Sequence, residues 1–139
     1  MKLRIKGNSV RLRLGRSEVD RLLAGEAVVE TATFDPLGLQ RLEYRLEAAL
    51  GVDAIGAVFE DGRLIVRVPT AHMLAWGRSD EVGMSADQAI GGDGALRILI
   101  EKDLECLDAP PEESQADAFA RTGGAACGAG SSRAAGDDG

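Results

Sequence analysis

Positive charge is concentrated near the start of the chain, in a pattern that could bind phosphate groups. The basic residues that alternate with apolar ones there are Lys2, Arg4, Lys6, Arg11 and Arg13. Residues 1–25 hold seven basic and two acidic side chains, a net of +5, in a chain of 139 residues whose formal charge is −7. Alternate residues of a strand share one face, so these like charges would need a counter-charge, either a phosphate backbone or the protein's own carboxylates. Glu43 and Glu47 are candidates for the second role.

Residues that commonly carry catalysis are sparse. The single histidine, His72, has no ligand partner at metal-binding spacing, and neither has Cys106, which follows Asp103 and Glu105. The run Gly91–Gly94 could cradle a phosphate, but no helix with Lys and Ser or Thr follows it, so a hairpin turn is expected. The sequence predicts a non-catalytic protein without a metal or an organic cofactor.

Composition indicates one domain followed by a tail. At 45% hydrophobic residues the chain can bury a core. Beyond Ala109 the composition changes, and residues 121–139 contain six Gly and five Ala, too little apolar surface to offset the entropy of ordering. We therefore predict a domain over residues 1–108 and a disordered, acidic, Gly/Ala-rich tail over residues 109–139.

The same features predict a cytoplasmic protein. No stretch approaches the roughly 18 consecutive apolar residues of a membrane span, and the first residues do not form the apolar region of a signal peptide. Two cysteines, Cys106 and Cys127, are too few for a disulfide scaffold and suit a reducing compartment.

The hydrophobic pattern indicates the elements that position the charged residues. Period-2 alternation predicts a β-hairpin over residues 2–14, with Gly7-Asn8-Ser9 as its turn. A short helix follows, with Ser17 as its cap and Gly25 at its end. One strand then begins at Val28, and another includes Leu42, Tyr44 and Leu46.

The pattern recurs 54 residues later without an insertion. The apolar positions of the first copy are Leu3, Ile5, Val10, Leu12, Leu14, Val19, Leu22, Val28, Leu42, Tyr44 and Leu46. Their counterparts are Ala57, Phe59, Leu64, Val66, Val68, Met73, Trp76, Val82, Leu96, Ile98 and Ile100. A one-residue slip would turn core side chains outward, so the shared register predicts two tandem ββαββ units, at about 1–48 and 55–102.

Short motifs in the two copies resemble a known domain. The second copy reads Asp61-Gly62-Arg63-Leu64-Ile65-Val66-Arg67-Val68-Pro69, then, after the predicted helix, Gly77-Arg78-Ser79-Asp80-Glu81-Val82. This resembles the AbrB/MazE type of swapped-hairpin domain, in which a hairpin ending in Val-Arg-Ile-Pro precedes a short helix and Gly-Asp-Glu-Val. Gly7-Asn8-Ser9 before Arg13 is similar to the start of MazE-type antitoxins, although Gly15 replaces the proline. The whole chain also resembles a group of small uncharacterised bacterial proteins.

The resemblance covers about residues 2–102 and implies a fold. We expect a mostly β (α+β) protein, a small swapped-hairpin or double-psi-like barrel in which the two units are related by a pseudo-twofold axis. Because both halves lie on one chain, a monomer could be complete, and both a monomer and a homodimer stay open.

The resemblance also implies a DNA-binding surface. In AbrB/MazE-type proteins this hairpin docks on DNA; Arg4, Ser9 and Arg13 match the contacting positions, and Lys6 and Arg11 are within reach of phosphates. One departure argues against symmetric readout, because Glu60 and Asp61 of the second copy stand where the first has Lys6 and Gly7, leaving Arg63 and Arg67 as basic candidates there. Residues 26–108 hold 7 basic and 16 acidic side chains, a net of −9, which would repel a duplex.

We therefore expect a non-catalytic binding module, either a DNA-binding transcriptional regulator or an antitoxin-like protein that acts through the basic hairpin. The alternative is a protein-interaction or small-ligand-binding barrel that binds no nucleic acid. In antitoxins an acidic C-terminal segment wraps the toxin, and Leu104, Leu107 and Phe119 lie among acidic residues here. A protein partner for the tail stays open beside a purely solubilising role.

Overall fold

The computed structural model describes residues 1–104 and 117–120, which contain eight strands and two helices. The elements are β1 (Lys2–Lys6), β2 (Ser9–Leu14), α1 (Arg16–Leu23), β3 (Val28–Thr33), β4 (Arg41–Ala49), β5 (Gly56–Glu60), β6 (Arg63–Pro69), α2 (Thr70–Gly77), β7 (Gly83–Gly91) and β8 (Gly94–Lys102). The mostly β class and the hairpin over residues 2–14 are confirmed.

The strands form two separate four-stranded sheets. Sheet A has the order β1-β2-β8-β7 and sheet B the order β3-β4-β6-β5. Each sheet joins a hairpin from the first half of the chain to one from the second half through a parallel pair, β2 with β8 or β4 with β6.

The predicted closed barrel is wrong, because the described strands form no closed barrel. The edge of β5 shows one physical reason. The N–H of Ala57 donates to Gln88 Oε1 at 2.6 Å, and Gln88 Nε2 donates to the carbonyl of Ala57 at 2.9 Å. A side-chain amide therefore takes the place that a neighbouring strand would occupy in a barrel.

Side chains from the inner faces of both sheets and from both helices form one core. The fully buried strand residues are Leu12, Leu14, Val28, Leu46, Val66, Val68, Ile98 and Ile100. Val19 and Leu22 of α1 and Met73 and Trp76 of α2 are buried with them, three residues apart on each helix. Neither helix in the described ranges has the length and apolar character that a membrane crossing demands.

The predicted 54-residue offset fails at one strand. Val28 lies opposite Leu46 in the β3–β4 pair, but Ile100, 54 residues after Leu46, lies opposite Met84 and not opposite Val82. The prediction of a repeat without insertion is therefore wrong at β7, because its register against β8 is displaced by two residues. A two-residue displacement keeps the same face inward, so the hydrophobic alternation alone does not reveal it.

Helix α1 begins differently from the prediction. Its N-cap is Gly15, whose N–H donates to Glu18 Oε1 at 2.9 Å. The predicted cap, Ser17, lies inside the first turn, where its N–H donates to Asp117 Oδ1 at 3.0 Å and its hydroxyl donates to Asp117 Oδ2 at 2.8 Å. The N–H of Arg16 donates to the carbonyl of Asp117 at 2.7 Å. The unpaired N–H groups of the first turn are thus satisfied by a residue 100 positions away.

Asp117 belongs to a short segment that falls within the predicted tail, residues 117–120. The N–H of Phe119 donates to the carbonyl of Asp103 at 2.8 Å, and the ring packs against the core. The guanidinium of Arg16 lies 4.9 Å from the centre of the ring. We call Asp117–Ala120 the docked segment. The rest of the predicted tail lies outside the described residues, as do Cys106 and Leu107.

The α-ammonium group of Met1 lies between two carboxylates. It donates to Glu18 and, at 2.9 Å, to Glu30 Oε2 of β3. Burial lowers the pKa of this ammonium, but the hydrogen bonds to Glu18 and Glu30 outweigh burial, so its pKa lies above the ordinary value. The contact ties the start of β1 to both α1 and sheet B.

Candidate nucleic-acid interface

The β1–β2 hairpin brings all of the predicted site residues onto one face of sheet A. In the antiparallel register Arg4 lies opposite Arg11, Lys6 lies opposite Ser9, and Lys2 lies opposite Arg13. The alternate residues Val10, Leu12 and Leu14 are buried on the inner face. We call the outward face, formed by Lys2, Arg4, Lys6, Ser9, Arg11 and Arg13, the basic face.

Positive charges lie directly opposite one another on the basic face. Residues paired across antiparallel strands have Cβ atoms about 4.5–5.5 Å apart, and like charges at this distance destabilise a sheet. The pKa of the Arg4 guanidinium is lowered, first by loss of hydration and then by the positive charges of Arg11 and Arg13. The face therefore favours a negatively charged neighbour.

Two carboxylates at one end of the basic face supply part of that charge. Glu101 of β8 lies opposite Arg13 in the parallel register, with Oε1 3.3 Å from Arg11 Nε and 3.8 Å from Arg13 Nε. Asp103 Oδ2 lies 3.1 Å from Lys2 Nζ. These pairs are partly exposed, so each contributes little to stability.

The expected counter-charges, Glu43 and Glu47, lie in the other sheet. Glu47 Oε1 accepts a hydrogen bond from Arg45 Nε at 2.7 Å, and its Oε2 accepts one from Arg67 Nε at 2.9 Å. Together, first through Arg45 and then through Arg67, they hold the pKa of Glu47 below its ordinary value, against the effect of burial. Glu47 therefore belongs to sheet B and does not neutralise the basic face. The prediction missed Glu101 because periodicity does not reveal that β2 pairs with β8.

The turn end of the basic face is positive and firmly held. Asn8 Nδ2 donates to the carbonyl of Ala95 at 2.6 Å, and the N–H of Arg97 donates to the carbonyl of Asn8 at 3.0 Å. The hydroxyl of Ser9 donates to the carbonyl of Lys6 at 2.7 Å and so closes the turn. Within the described residues Lys6 makes no ion pair.

Arg97 extends the positive surface and was not among the predicted site residues. It lies opposite Ser9 in the β2–β8 register, and its Nη1 lies 3.2 Å from Asp87 Oδ1 of β7. Because Arg97 comes from the second half of the chain, only the pairing of the sheets places it there.

The equivalent face of the second hairpin has a different charge. Gly56, Val58 and Glu60 occupy the outward positions of β5, where β1 has Lys2, Arg4 and Lys6. On β6 Arg63 lies opposite Glu60, and Arg67 pairs with Glu47. The positive surface is therefore confined to sheet A, as the charge distribution of the sequence predicts.

A second concave region contains the single histidine. A cavity of about 340 Å³ is lined by Ala54, Ile55, His72, Ala75, Trp76, Glu81, Met84 and Ser85. No group of three His, Cys, Asp or Glu side chains suited to a metal ion occurs among residues 1–104 and 117–120. The arrangement is mainly apolar with one imidazole and one carboxylate at its margin.

Lys102 is a buried cation that the sequence does not reveal. It is 6% exposed, its Nζ donates to the carbonyl of Ser79 at 2.6 Å, and it lies 5.2 Å from the centre of the Trp76 ring. Burial lowers the pKa of this ammonium, against the opposing effect of Asp80 and Glu81. Its contacts are with the backbone and with rings, so its role is structural.

Comparison with known proteins gives a family without an assigned activity. No curated protein and no solved structure matches the chain. Residues 1–122 match DUF7009, a family of unknown function. This agrees with the expected likeness to small uncharacterised proteins. The match includes both the basic face and the docked segment, and the chain therefore belongs to the DUF7009 family of unknown function.

Proposed function

We propose that this protein is a non-catalytic module that binds the phosphate backbone of duplex DNA through the basic face. The observation that carries the proposal is the opposition of Arg4 to Arg11 and of Lys2 to Arg13 on one open surface. A phosphate backbone relieves this repulsion and releases bound counterions when it docks.

The distribution of counter-charges supports docking at the turn end. Glu101 and Asp103 approach the face near Lys2 and Arg13, at the end away from the turn. Lys6 and Arg97 lie towards the turn, where Asp87 is the one carboxylate paired with the described cations. An incoming phosphate meets a positive edge there, while the acidic end orients the strand away from Glu101.

We also infer that the two halves descend from one swapped-hairpin unit. Val10 pairs with Ile98, and Tyr44 pairs with Leu64; adding 54 to one member of each pair and subtracting it from the other converts the first pair into the second. The hairpin registers Leu3 to Leu12 and Ala57 to Val66 are related by the same offset. These relations support the AbrB/MazE resemblance, and with it a role as a regulator or antitoxin-like protein.

A salt titration of DNA binding tests the proposal. The full chain is titrated against a fluorescent random duplex, and anisotropy is recorded at several salt concentrations. The test variant combines Arg4→Ala, Arg11→Ala and Arg13→Ala. The matched control combines Arg41→Ala, Arg63→Ala and Arg78→Ala, three exposed arginines outside sheet A. Both variants lose three positive charges.

The native chain should lose affinity steeply with salt, and the test variant should reduce the slope of log K against log salt by about 2 to 3, since each phosphate contact contributes about 0.9. The control should retain the native slope. Absence of a salt-dependent complex, or equal weakening by both variants, would overturn the proposal.

A small-ligand or protein-interaction role is the second candidate, and the cavity beside Trp76 favours it. Its volume of about 340 Å³ lies within the range of ligand pockets, and Met84 and Ile55 provide apolar contacts. Trp76 is the single tryptophan of the chain, so quenching of its fluorescence by small aromatic probes would report occupation of the cavity. Quenching that persists in Ser85→Trp, which fills the cavity mouth, would count against this role.

A further inference from the structure

We propose that β3 is a self-association edge, onto which a second copy of the chain adds its own β3 in antiparallel orientation. The two copies of sheet B then form one continuous eight-stranded sheet about a twofold axis. The proposal does not depend on DNA binding, because β3 and the basic face belong to different sheets.

The argument starts from the four edge strands, which are β1, β7, β3 and β5. An exposed edge presents unpaired N–H and C=O groups, and folded proteins block such edges with charges, bulges or covering groups. Three of the four carry such a feature. Strand β1 carries Lys2, Arg4 and Lys6, and the backbone of β5 at Ala57 is bonded by the side chain of Gln88. Strand β7 carries Asp87 and an irregular register between Ala89 and Gly91.

Strand β3 has none of these features. It reads Val28-Val29-Glu30-Thr31-Ala32-Thr33, without Lys, Arg or Pro, and pairs with β4 through six consecutive residues without a bulge. Within the described residues its one ion pair is that of Glu30 with the Met1 ammonium, on the same side of the strand as buried Val28. The outward side carries Val29, Thr31 and Thr33, all exposed and all β-branched, which are favourable residues for strand pairing.

The sequence of β3 is complementary to itself in one antiparallel register. With Thr31 opposite Thr31 of the second copy, Val29 lies opposite Thr33, and Glu30 lies opposite Ala32. This register gives a Thr–Thr pair on the axis and keeps the two glutamates apart. The register that places Glu30 opposite Glu30 opposes like charges and is disfavoured.

The residue that follows β3 supports the same occupant. Phe34 is 68% exposed, and continuation of the register brings it opposite Val28 of the second copy. Leu37 and Leu39, on the same loop, are 79% and 77% exposed. Association through β3 therefore covers an apolar surface that the single chain leaves in water.

Sedimentation velocity of the full chain over a wide range of concentration tests the proposal. The native chain should shift from monomer to dimer as concentration rises. Thr31→Lys places a charge on the axis and should hold the chain in the monomeric form at every concentration. Ser85→Lys is the matched control, because Ser85 is an exposed, outward-facing residue of edge strand β7, and it should sediment like the native chain.

Cross-linking checks the register independently. Thr31→Cys, in a chain that also carries Cys106→Ser and Cys127→Ser, should form an intermolecular disulfide on mild oxidation, since paired Cα atoms lie about 4.5–5.5 Å apart. Ser85→Cys in the same background should not. A native chain that stays monomeric, equal sedimentation of the two lysine variants, or a dimer that Thr31→Cys fails to cross-link would each overturn the proposal.

Discussion

Replacement of Gly15 by alanine should destabilise the protein through the docked segment. A Cβ atom at this position would lie 2.1 Å from Asp117 Oδ2 and 2.8 Å from the Asp117 carbonyl oxygen. The backbone of Gly15 has φ −77° and ψ 173°, an extended conformation that alanine adopts without strain. Where nothing else changes, Gly→Ala at such a position stabilises a protein by about 0.4–1 kcal/mol. Contact with Asp117 reverses that sign.

The size of the effect follows from the hydrogen bonds that Asp117 makes. It accepts three, from the N–H of Arg16 and from the N–H and hydroxyl of Ser17. Each contributes about 0.5–1.5 kcal/mol net, and loss of an N-cap typically costs about 1 kcal/mol. After subtraction of the gain from alanine, we expect Gly15→Ala to lower the free energy of unfolding by about 1–3 kcal/mol.

Urea unfolding, followed by the fluorescence of Trp76, measures this difference. The control is the same substitution in an Asp117→Ala chain, where the side-chain contact is already gone. There Gly15→Ala should have a much smaller effect, so the two changes should be non-additive. A Gly15→Ala chain as stable as the native protein, or an equal loss in both backgrounds, would refute the reasoning.

Three further changes test other parts of the structure. Gln88→Ala removes both hydrogen bonds to the backbone of Ala57 and should lower the free energy of unfolding by about 1–3 kcal/mol and speed hydrogen exchange at the Ala57 amide; unchanged exchange would contradict the role of Gln88 at that edge. Glu101→Gln leaves Arg11 and Arg13 without their shared carboxylate and should destabilise the chain by less than about 1 kcal/mol in low salt, with the effect vanishing in high salt; a loss that persists in high salt would argue against an electrostatic origin. Glu47 has a pKa below its ordinary value of 4.5, so its carboxylate stabilises the folded state above that pH, and the contribution is lost as pH falls through the folded pKa. The difference in stability between the native chain and Glu47→Gln should therefore shrink on acidification, whereas Glu43→Gln on the same strand serves as the control.

The sequence was sufficient to predict the local elements. The alternation of Lys2 to Leu14 predicted a hairpin, and the spacing of Val19 and Leu22 predicted a helix, because both patterns depend on neighbours within a few residues. The five predicted site residues share a face for the same reason. The charge difference between the two hairpins was visible in Glu60 and Asp61 alone.

Long-range pairing was not predictable from the same patterns. Glu101 and Arg97 reach the basic face through the parallel β2–β8 pair, and hydrophobic alternation is the same whichever strand lies alongside. The edge of β5 is occupied by Gln88, so the expected closure does not occur there. Asp117 lies in a stretch whose composition suggested disorder, yet its carboxylate meets the first turn of α1, and composition carries no information about such a single contact.

The assembly of each sheet from both halves of the chain has a kinetic consequence. Sheet B needs only residues 28–69, so a chain growing from its N-terminus can complete this sheet early. Sheet A cannot be completed until β8 emerges and meets β2, because Ser9 pairs with Arg97 across most of the domain. Pairing at such separation closes a long loop and slows folding. During synthesis, β2 therefore waits with Val10, Leu12 and Leu14 uncovered, and the late arrival of β8 is the step at which a translating chain is most exposed to aggregation.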